Sequence, residues 1–165
     1  VVEMKTNKGT ILIELYPDKA PITVQNFLKY VGDKFYDGLI FHRIISSFMI
    51  QGGGFDASGN NIEATYDPIK NEADNGLSNE RGTIAMARTG VVNSATSQFF
   101  INVVDNIFLN HKGKNPQAYG YCVFGKVIEG MNVVDEIKVV KTGIQKGMQD
   151  WPVDPVVIEY ARIIK

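Results

Sequence analysis

Short apolar runs separated by clusters of Gly, Asn, Asp and Pro recur along the whole chain, and this pattern constrains the fold more than any other feature. Runs of β-branched and aromatic residues bounded by turn residues are typical of a mostly β domain. The runs are VVEMKT, TILIELY, IFHRII, FMIQ, GTIAMAR, QFFINVV, YGYCVFGKVI and PVVIEYARII. Several of them alternate apolar and polar residues, as half-buried strands do. The sequence therefore predicts an antiparallel sheet that is closed on itself or folded into a sandwich.

Two segments have helical periodicity instead. In APITVQNFLKYVGDKF the apolar residues at i, i+3, i+4 and i+7 form one stripe: Val24, Phe27, Leu28 and Val31. Pro21 suits the first turn of this helix, and Gly32 suits its end. A shorter helix is predicted in EGMNVVDEIKVV, with three apolar residues turned inward: Val133, Val134 and Ile137. We expect these two helices to cap the open ends of a barrel.

The length and charge of the chain favour a single domain that binds neither nucleic acid nor membrane. A chain of 165 residues suits one domain, and no repeat or low-complexity linker divides residues 1–165. The 17 basic residues are scattered and balanced by 18 acidic ones, so no basic surface is expected to attract nucleic acid. No apolar run approaches the roughly 20 residues needed to cross a bilayer.

The cysteine content and the first residues favour a cytoplasmic location. Cys122 is the single cysteine, so it cannot form an intramolecular disulfide, and the fold is compatible with a reducing compartment. The opening VVEMKTNKGT has neither a basic segment nor a signal-like apolar stretch. We therefore expect a cytoplasmic protein, and nothing in the sequence demands more than a monomer.

The histidines and the cysteine do not predict a metal or hydrolytic site. His42 and His111 are the only histidines, and neither has a second His or Cys at ligand spacing. His42 could act as the base of a triad, but no GxSxG nucleophile elbow is present. A packed and hydrogen-bonded structural role is the better interpretation of His42, and Cys122 is interpreted as a small core residue.

A run of glycines raises a further alternative, a dinucleotide site. Gly52, Gly54 and Ala57 match G-x-G-x-x-G/A, and Glu72 falls at the spacing of a ribose-binding acid. That chemistry needs a helix to begin at the glycines so that its N-terminus can hold pyrophosphate. The residues that follow, FDASGNNIEATYDP, are rich in turn formers and lack helical periodicity. We therefore interpret the glycines as a bend or bulge that ends the strand at a barrel corner.

Arg43 is the most informative charged residue, because it lies within the apolar run IFHRII. If the chain turns at Ser46-Ser47, the next strand brings Gln51 beside it and lets Phe48 and Met49 flank the guanidinium. An apolar groove with a few convergent polar groups is how proteins hold apolar peptide side chains. The spacing alone predicts a binding site at this hairpin.

Four motifs are the most distinctive parts of the sequence: FHRIISSFMIQGGGF, NEADNGLSNERGTIAMAR, SATSQFFINV and YCVFGKVIEGMNVVDEI. Together they resemble the cyclophilins, the cyclosporin-binding class of peptidyl-prolyl cis-trans isomerases. The resemblance runs essentially from end to end. Its details are most similar to the bacterial cytosolic members, including NHKGKNPQAYGY and KTGIQKGMQDWPVDPVVIE. The resemblance implies a mainly β fold, a closed eight-stranded antiparallel barrel capped by two α-helices, in agreement with the strands and helices above.

The resemblance also implies a substrate site. Arg43 in FHR matches the catalytic arginine of the family. The other matched positions are Phe48, Met49 and Gln51 on the strand beside it, Ala87 and Arg88 on a segment that pairs with substrate backbone, Gln98 as a polar contact, Phe100 as the floor of the proline pocket, Phe108 and Leu109 as its far wall, and Tyr121 where relatives carry His or Tyr.

Three features depart from the family pattern. Ser46-Ser47 replaces a turn that usually contains Gly, which puts the turn geometry in doubt. Arg88 stands where many relatives carry Asn, which puts its side-chain contact to substrate in doubt. Phe108 replaces the Trp of cyclosporin-sensitive relatives and has no N–H to donate, so we expect weakened cyclosporin A binding with catalysis largely retained.

The resemblance implies an enzyme that rotates X–Pro peptide bonds in unfolded or folded client proteins and assists their folding without a covalent intermediate or a cofactor. A competing hypothesis is a binding module that docks proline-containing segments with incidental catalysis. Both use the same groove. A protease-coupled assay of cis-trans exchange would distinguish them.

Overall fold

Strands account for most of the regular structure. A computed structural model describes residues 1–164. The strands are β1 (Val2–Thr6), β2 (Gly9–Leu15), β3 (Leu39–Ile45), β4 (Met49–Asp56), β5 (Thr83–Met86), β6 (Phe99–Asn102), β7 (Val123–Glu129), β8 (Thr142–Gln145), β9 (Met148–Pro152) and β10 (Ile158–Ile163). The helices are α1 (Pro21–Gly32) and α2 (Met131–Lys138), and short 3₁₀ turns cover Ala73–Asn75 and Ile107–Leu109.

Eight of the strands form one antiparallel sheet in the order β10-β1-β2-β7-β5-β6-β4-β3. Its two edges meet, because the N–H of Phe41 donates to the carbonyl of Val156 at 3.0 Å and that of Gly38 to Ile158 at 2.8 Å. The result is a nearly closed barrel, which confirms the predicted fold class. Strands β8 and β9 form a separate hairpin that the strand pattern did not predict.

Both predicted helices are present. Pro21 is the first residue of α1, and Gly32 is its last. Most of the predicted stripe is buried on this helix, namely Val24, Phe27 and Val31, while Leu28 is half-buried. The inward residues predicted for the second helix are buried as well: Val133, Val134 and Ile137. Within residues 1–164, neither helix is long and apolar enough to cross a membrane.

Glu72 stabilises the start of α1 from a distant loop. Its carboxylate accepts hydrogen bonds from the N–H groups of Thr23 at 2.7 Å and Ile22 at 3.3 Å, and from the Thr23 hydroxyl at 2.8 Å. The first N–H groups of a helix have no partner within it, and its N-terminus carries partial positive charge, so an acid there is favourable. Glu72 therefore has a structural role at this helix, in place of the ribose-binding role considered for it with the glycines.

Aromatic rings fill the interior of the barrel. Phe27 of α1 packs against Tyr36, Phe99 and Phe124, with ring centroids 5.4, 5.6 and 5.2 Å apart. All four side chains have no exposed surface. Edge-to-face and tilted pairs at these distances stabilise beyond simple burial. The packed interior fixes the sheet, and other apolar residues of β3, β4 and β6 form two smaller clusters outside it.

The glycines lie inside β4, so the prediction that they end the strand was wrong. The ladder between β3 and β4 shifts register between Phe41 and Arg43, which is the bulge expected from the glycines. Gly53 has φ +91°, and a Cβ there would lie 2.9 Å from the carbonyl oxygen of Ser97. A Cβ on Gly54 would overlap the side chain of Gln98. Glycine fits both positions because it has no Cβ and tolerates a positive φ, and turns instead of a helix follow β4.

Candidate active site

A groove of about 150 Å³ lies on the outer face of the barrel beside the β3–β4 hairpin. Nine of the eleven residues predicted from the sequence line it: Arg43, Phe48, Met49, Gln51, Ala87, Arg88, Phe100, Leu109 and Tyr121. The other two lie at its borders. Gln98 lines an adjoining hollow, and Phe108 packs on Phe48 at the rim.

Arg43 stands at the open edge of the groove. It lies opposite Gln51 in the β3–β4 ladder, and its guanidinium carbon is 5.9 Å from the centroid of the Phe48 ring. The residue is exposed while its neighbours His42 and Ile44 are buried, as expected for alternate positions of a strand. No ion pair found within residues 1–164 includes Arg43. Its charge is therefore available to a bound molecule.

The floor of the groove is apolar. Met49, Phe100 and Leu109 are only 1%, 4% and 8% exposed, and they belong to a small hydrophobic cluster separate from the main core. Tyr121 closes one side by placing its ring edge-on to Phe100, with centroids 5.8 Å apart. A compact apolar ring can bury its surface here while its polar neighbours remain at the mouth.

Gln51 and Gln98 form a polar border next to this floor. The amide of Gln51 donates to the side-chain oxygen of Gln98 at 2.9 Å. The Gln98 side chain reaches this position because Gly54 leaves the necessary space. On the neighbouring segment, the N–H of Ala87 already donates to the backbone carbonyl of Gln98 at 3.0 Å. Ala87 thus anchors the groove wall through a bond within the protein.

Arg88 makes its contacts to the protein. Its Nε, Nη1 and Nη2 donate to the carbonyls of Gly120, Thr89 and Pro116 at 3.0, 2.9 and 3.0 Å. Its guanidinium carbon lies 4.8 Å from the centroid of the Tyr121 ring, a cation–π distance. The guanidinium braces Tyr121 and the loop before it, which Asn at this position is too short to do.

The 3₁₀ turn Ile107–Leu109 carries the far wall. Leu109 points into the floor, whereas Phe108 is 64% exposed. The Phe108 ring stacks on that of Phe48, with centroids 5.7 Å apart and planes inclined by 29°. This pair forms an apolar rim that projects into solvent above the groove. The exposed Phe108, stacked on the half-buried Phe48, is available to cover an apolar ligand.

A buried asparagine network beneath the walls was missed from the sequence. Asn106 donates from Nδ2 to the carbonyl of Phe48 at 2.9 Å and to Oδ1 of Asn102 at 2.8 Å. Asn102 donates to Oδ1 of Asn79 at 3.1 Å, and Asn79 donates to the carbonyl of Tyr121 at 3.3 Å. All three asparagines are at most 3% exposed. An Asn inside the apolar run QFFINVV was the available signal, because buried amides must be hydrogen-bonded.

His42 faces away from the groove, toward Phe55 and Trp151. Its ring centroid lies 4.5 Å from that of Phe55 and 5.8 Å from that of Trp151. Burial, and secondarily the charge of Arg43, lowers the pKa of His42 to about 4. The packing role expected from the sequence is confirmed, but Nδ1 has no hydrogen-bond partner within residues 1–164, so the expected hydrogen bonding is not seen there.

Cys122 is a core residue, as the sequence indicated. It is 3% exposed, and the hydroxyl of Thr23 lies 3.5 Å from its sulfur. Burial raises the pKa of the thiol to about 12, so the nucleophilic thiolate is strongly disfavoured. No group of three or more His, Cys, Asp or Glu side chains suited to a metal ion occurs in the described part of the chain.

Comparisons with known proteins converge on one family. Residues 1–163 match the family model described as cyclophilin type peptidyl-prolyl cis-trans isomerase/CLD. The chain is 59% identical over 163 residues to peptidyl-prolyl cis-trans isomerase cyp18 of Streptomyces antibioticus, covering 99% of this chain and 98% of that protein. It is 57% identical over 159 residues to peptidyl-prolyl cis-trans isomerase B of Escherichia coli K12, covering 96% of each.

A solved structure shows the same fold. The cyclophilin type isomerase of Cryptosporidium parvum, crystallised in the presence of the dipeptide Ala-Pro, superimposes with a TM-score of 0.77 at 27% identity. The match covers 99% of this chain and 98% of that one. The family match over residues 1–163, the close bacterial relatives and this shared barrel agree with one another. The chain therefore belongs to the cyclophilin-type peptidyl-prolyl cis-trans isomerases, enzymes that catalyse rotation about X–Pro peptide bonds.

Proposed function

We propose that Arg43 is the catalytic residue of this isomerase and that the groove beside it holds the substrate proline. One observation carries the proposal. An exposed guanidinium, outside every ion pair found in residues 1–164, stands at the edge of a floor made of buried apolar side chains. A prolyl residue presents an amide nitrogen and a pyrrolidine ring. The cationic donor suits the nitrogen, and the apolar floor beside it suits the ring.

The reaction needs only stabilisation of a twisted amide. Resonance gives the C–N bond partial double-bond character, and rotation costs about 18–20 kcal/mol. At the twisted transition state the conjugation is lost and the proline nitrogen gains a localised lone pair. A donor aimed at that lone pair binds the transition state more tightly than the planar ground state, which is the condition for catalysis. Arg43 suits this role because a guanidinium is always charged and presents rigid donors.

The remaining residues hold the substrate while one side of the bond rotates. The floor residues Met49, Phe100 and Leu109 would bury the pyrrolidine ring, and Phe48 would cover it from the rim. The paired amides of Gln51 and Gln98 would bind the adjoining peptide backbone. Fixing one side of the bond leaves the other free to turn, so binding energy is used to orient the reacting amide.

The experiment compares Arg43→Ala and Arg43→Lys with the unmodified protein, using cis-trans exchange of a short X–Pro peptide measured by NMR. A charge-assisted hydrogen bond contributes about 1.5–3 kcal/mol, so removing it should lower kcat/KM by roughly 10- to 100-fold or more. Arg43→Lys retains the charge without the planar set of guanidinium N–H donors, so its kcat/KM should be intermediate. Lys8→Ala is the control, because it removes an exposed cation in the turn between β1 and β2. Near-normal turnover by Arg43→Ala would refute the assignment.

We also propose that the natural substrates are proline-containing segments of unfolded or folded client proteins. The relative solved in the presence of Ala-Pro supports a prolyl ligand for this groove. The chain is proposed to act as a single domain over residues 1–165, as a monomer in the cytoplasm. One main hydrophobic cluster joining both helices to the barrel supports the single domain. Light scattering tests the monomer, and cell fractionation tests the location.

Cyclosporin A is proposed to bind this groove weakly. The rim position that matches the tryptophan of sensitive relatives is Phe108, which is exposed and stacked on Phe48. Its ring can cover an apolar ligand but has no N–H to donate. The peptide substrate depends instead on the floor and on Arg43, so catalysis is expected to be largely retained.

A further inference from the structure

Positive charge is concentrated around the groove of a protein whose net charge is −1. Arg43 and Arg88 both line it, and Nζ of Lys112 lies 3.4 Å from the carbonyl of Phe108 at the rim. None of these three cations belongs to an ion pair within residues 1–164. No Asp or Glu occurs among the residues that line the groove or the hollow beside it. The local potential at the site is therefore positive.

The hollow beside the groove has a volume of about 170 Å³ and is lined mostly by polar residue types. Its lining residues are Gln51, Ala87, Arg88, Thr89, Ser94, Thr96 and Gln98, of which Gln51, Ala87 and Arg88 also line the groove. An extended peptide advances about 3.3 Å per residue. Because the groove and the hollow share three lining residues, a chain whose proline lies in the groove can place a side chain one or two residues away in or over this hollow.

Arg88 holds its charge in a fixed position at the shared wall. Its three nitrogens donate to backbone carbonyls, and the guanidinium stacks on Tyr121. The carbonyl dipoles offset only part of its positive charge, and the braced side chain has little freedom left to lose on binding. A fixed charge at a partly enclosed site attracts an anion more effectively than a mobile one in open solvent.

We propose that this isomerase favours X–Pro segments with an acidic side chain within two residues of the proline, and that Arg88 determines this preference. The inference rests on the proposed function, because it takes the groove beside Arg43 to hold the proline. The preferred substrates of that site are then prolyl segments that carry a nearby Asp or Glu. The contribution of Arg88 is electrostatic, so the preference weakens as ionic strength rises.

The test uses peptides with blocked ends, so that a single side chain carries the charge. Glu, Gln or Lys is placed in turn at each of the two positions before proline and the two positions after it, and kcat/KM is measured by NMR exchange at low salt. We expect one position at which Glu exceeds Lys by about fivefold or more, with Gln between them, and a ratio that falls in 0.5 M salt. Single exposed charge pairs give up to about fivefold in double-mutant cycles, and the comparison of Glu with Lys adds a repulsion to an attraction.

Variants of Arg88 separate charge from packing. Arg88→Gln should reduce the Glu-to-Lys ratio to about half or less of its original value at that position. Arg88→Lys retains the charge without the fork of donors and should keep most of the ratio, even if kcat/KM falls for every peptide. Lys8→Gln makes the same change of charge in the distant turn between β1 and β2 and should leave the ratio unaltered. Far-ultraviolet circular dichroism checks that each variant is folded.

The outcomes distinguish this inference from the proposed function. If the Gln peptides are isomerised but the Glu-to-Lys ratio is near one at every position, the acidic preference is wrong and the assignment of the groove stands. A ratio that Arg88→Gln leaves unchanged contradicts the role of Arg88. If Arg43→Ala isomerises the Gln peptides as well as the unmodified protein does, the proposed function itself fails.

Discussion

Protonation of His42 should destabilise the fold below neutral pH. His42 is 6% exposed, and its imidazole packs against the rings of Phe55 and Trp151, with the guanidinium of Arg43 next to it in sequence. Burial and the neighbouring positive charge both disfavour the charged form, so the pKa falls from 6.5 to about 4. The folded protein therefore binds this proton less readily than the unfolded chain does.

The sign and size of the effect follow from this difference in pKa. The contribution of neutral His42 to the free energy of unfolding is fully present above pH 6.5. It is lost as the pH falls from 6.5 toward 4 and changes no further below pH 4. A difference of 2.5 pKa units is equivalent to about 3 kcal/mol, of which about 2 kcal/mol should be lost between pH 7.5 and pH 5.0. Asp135, whose pKa is lowered to about 2 by Arg81, changes the pH dependence of the free energy of unfolding mainly below pH 5.

The assay is urea unfolding at pH 7.5, 6.5, 5.5 and 5.0, followed by tryptophan fluorescence, because the ring of Trp151 packs against His42. The free energy of unfolding should fall by about 2 kcal/mol over this range. His42→Gln should abolish most of that fall. His111→Gln is the matched control, because it removes the only other histidine, and it should retain the fall. A free energy of unfolding that is constant from pH 7.5 to 5.0, or an equal fall in His42→Gln, would refute the reasoning.

Two further substitutions test the groove itself. Gly54→Ala places a Cβ against the side chain of Gln98 without requiring a left-handed backbone, so we expect Gln98 to be displaced and KM for a peptide to rise about three- to tenfold, with a smaller change in kcat. Gly143→Ala is the control because a Cβ there meets nothing within 4 Å, and an equal KM in both variants would contradict the role of Gly54. Phe108→Trp restores an N–H donor at the rim, and we expect cyclosporin A affinity measured by calorimetry to rise about tenfold with peptide turnover retained. Affinity no better than that of the unmodified protein would overturn the prediction.

The barrel and the β3–β4 hairpin could be predicted because their signals are local. Alternating β-branched runs specify strands, and the stripe that includes Val24 and Phe27 specifies α1, since each pattern depends only on near neighbours. Arg43 and Gln51 face each other for the same reason, because a short turn joins their strands and sets the register. The sequence thus located half of the groove on one hairpin.

Other features depend on parts of the chain that are far apart in sequence. The strand pattern could not show that Gly54 makes room for Gln98, and the glycines were misread as the end of a strand. The bracing of Tyr121 by Arg88 requires the carbonyls of Gly120 and Pro116, and no local pattern encodes that contact. Long-range contacts of this kind become visible only when the strands are assembled.

By itself, the sequence determined the eight barrel strands, the two α-helices, the family resemblance and most residues of the groove, because periodicity and motif are properties of neighbouring positions. The tertiary structure decided what each polar residue contacts. His42 is buried against Trp151 of an unpredicted hairpin, and Glu72 accepts hydrogen bonds at the start of α1. Three asparagines are hydrogen-bonded to one another beneath the groove walls: Asn79, Asn102 and Asn106. Burial and hydrogen-bond partners are set by where distant segments meet in space, and composition and spacing do not contain that information.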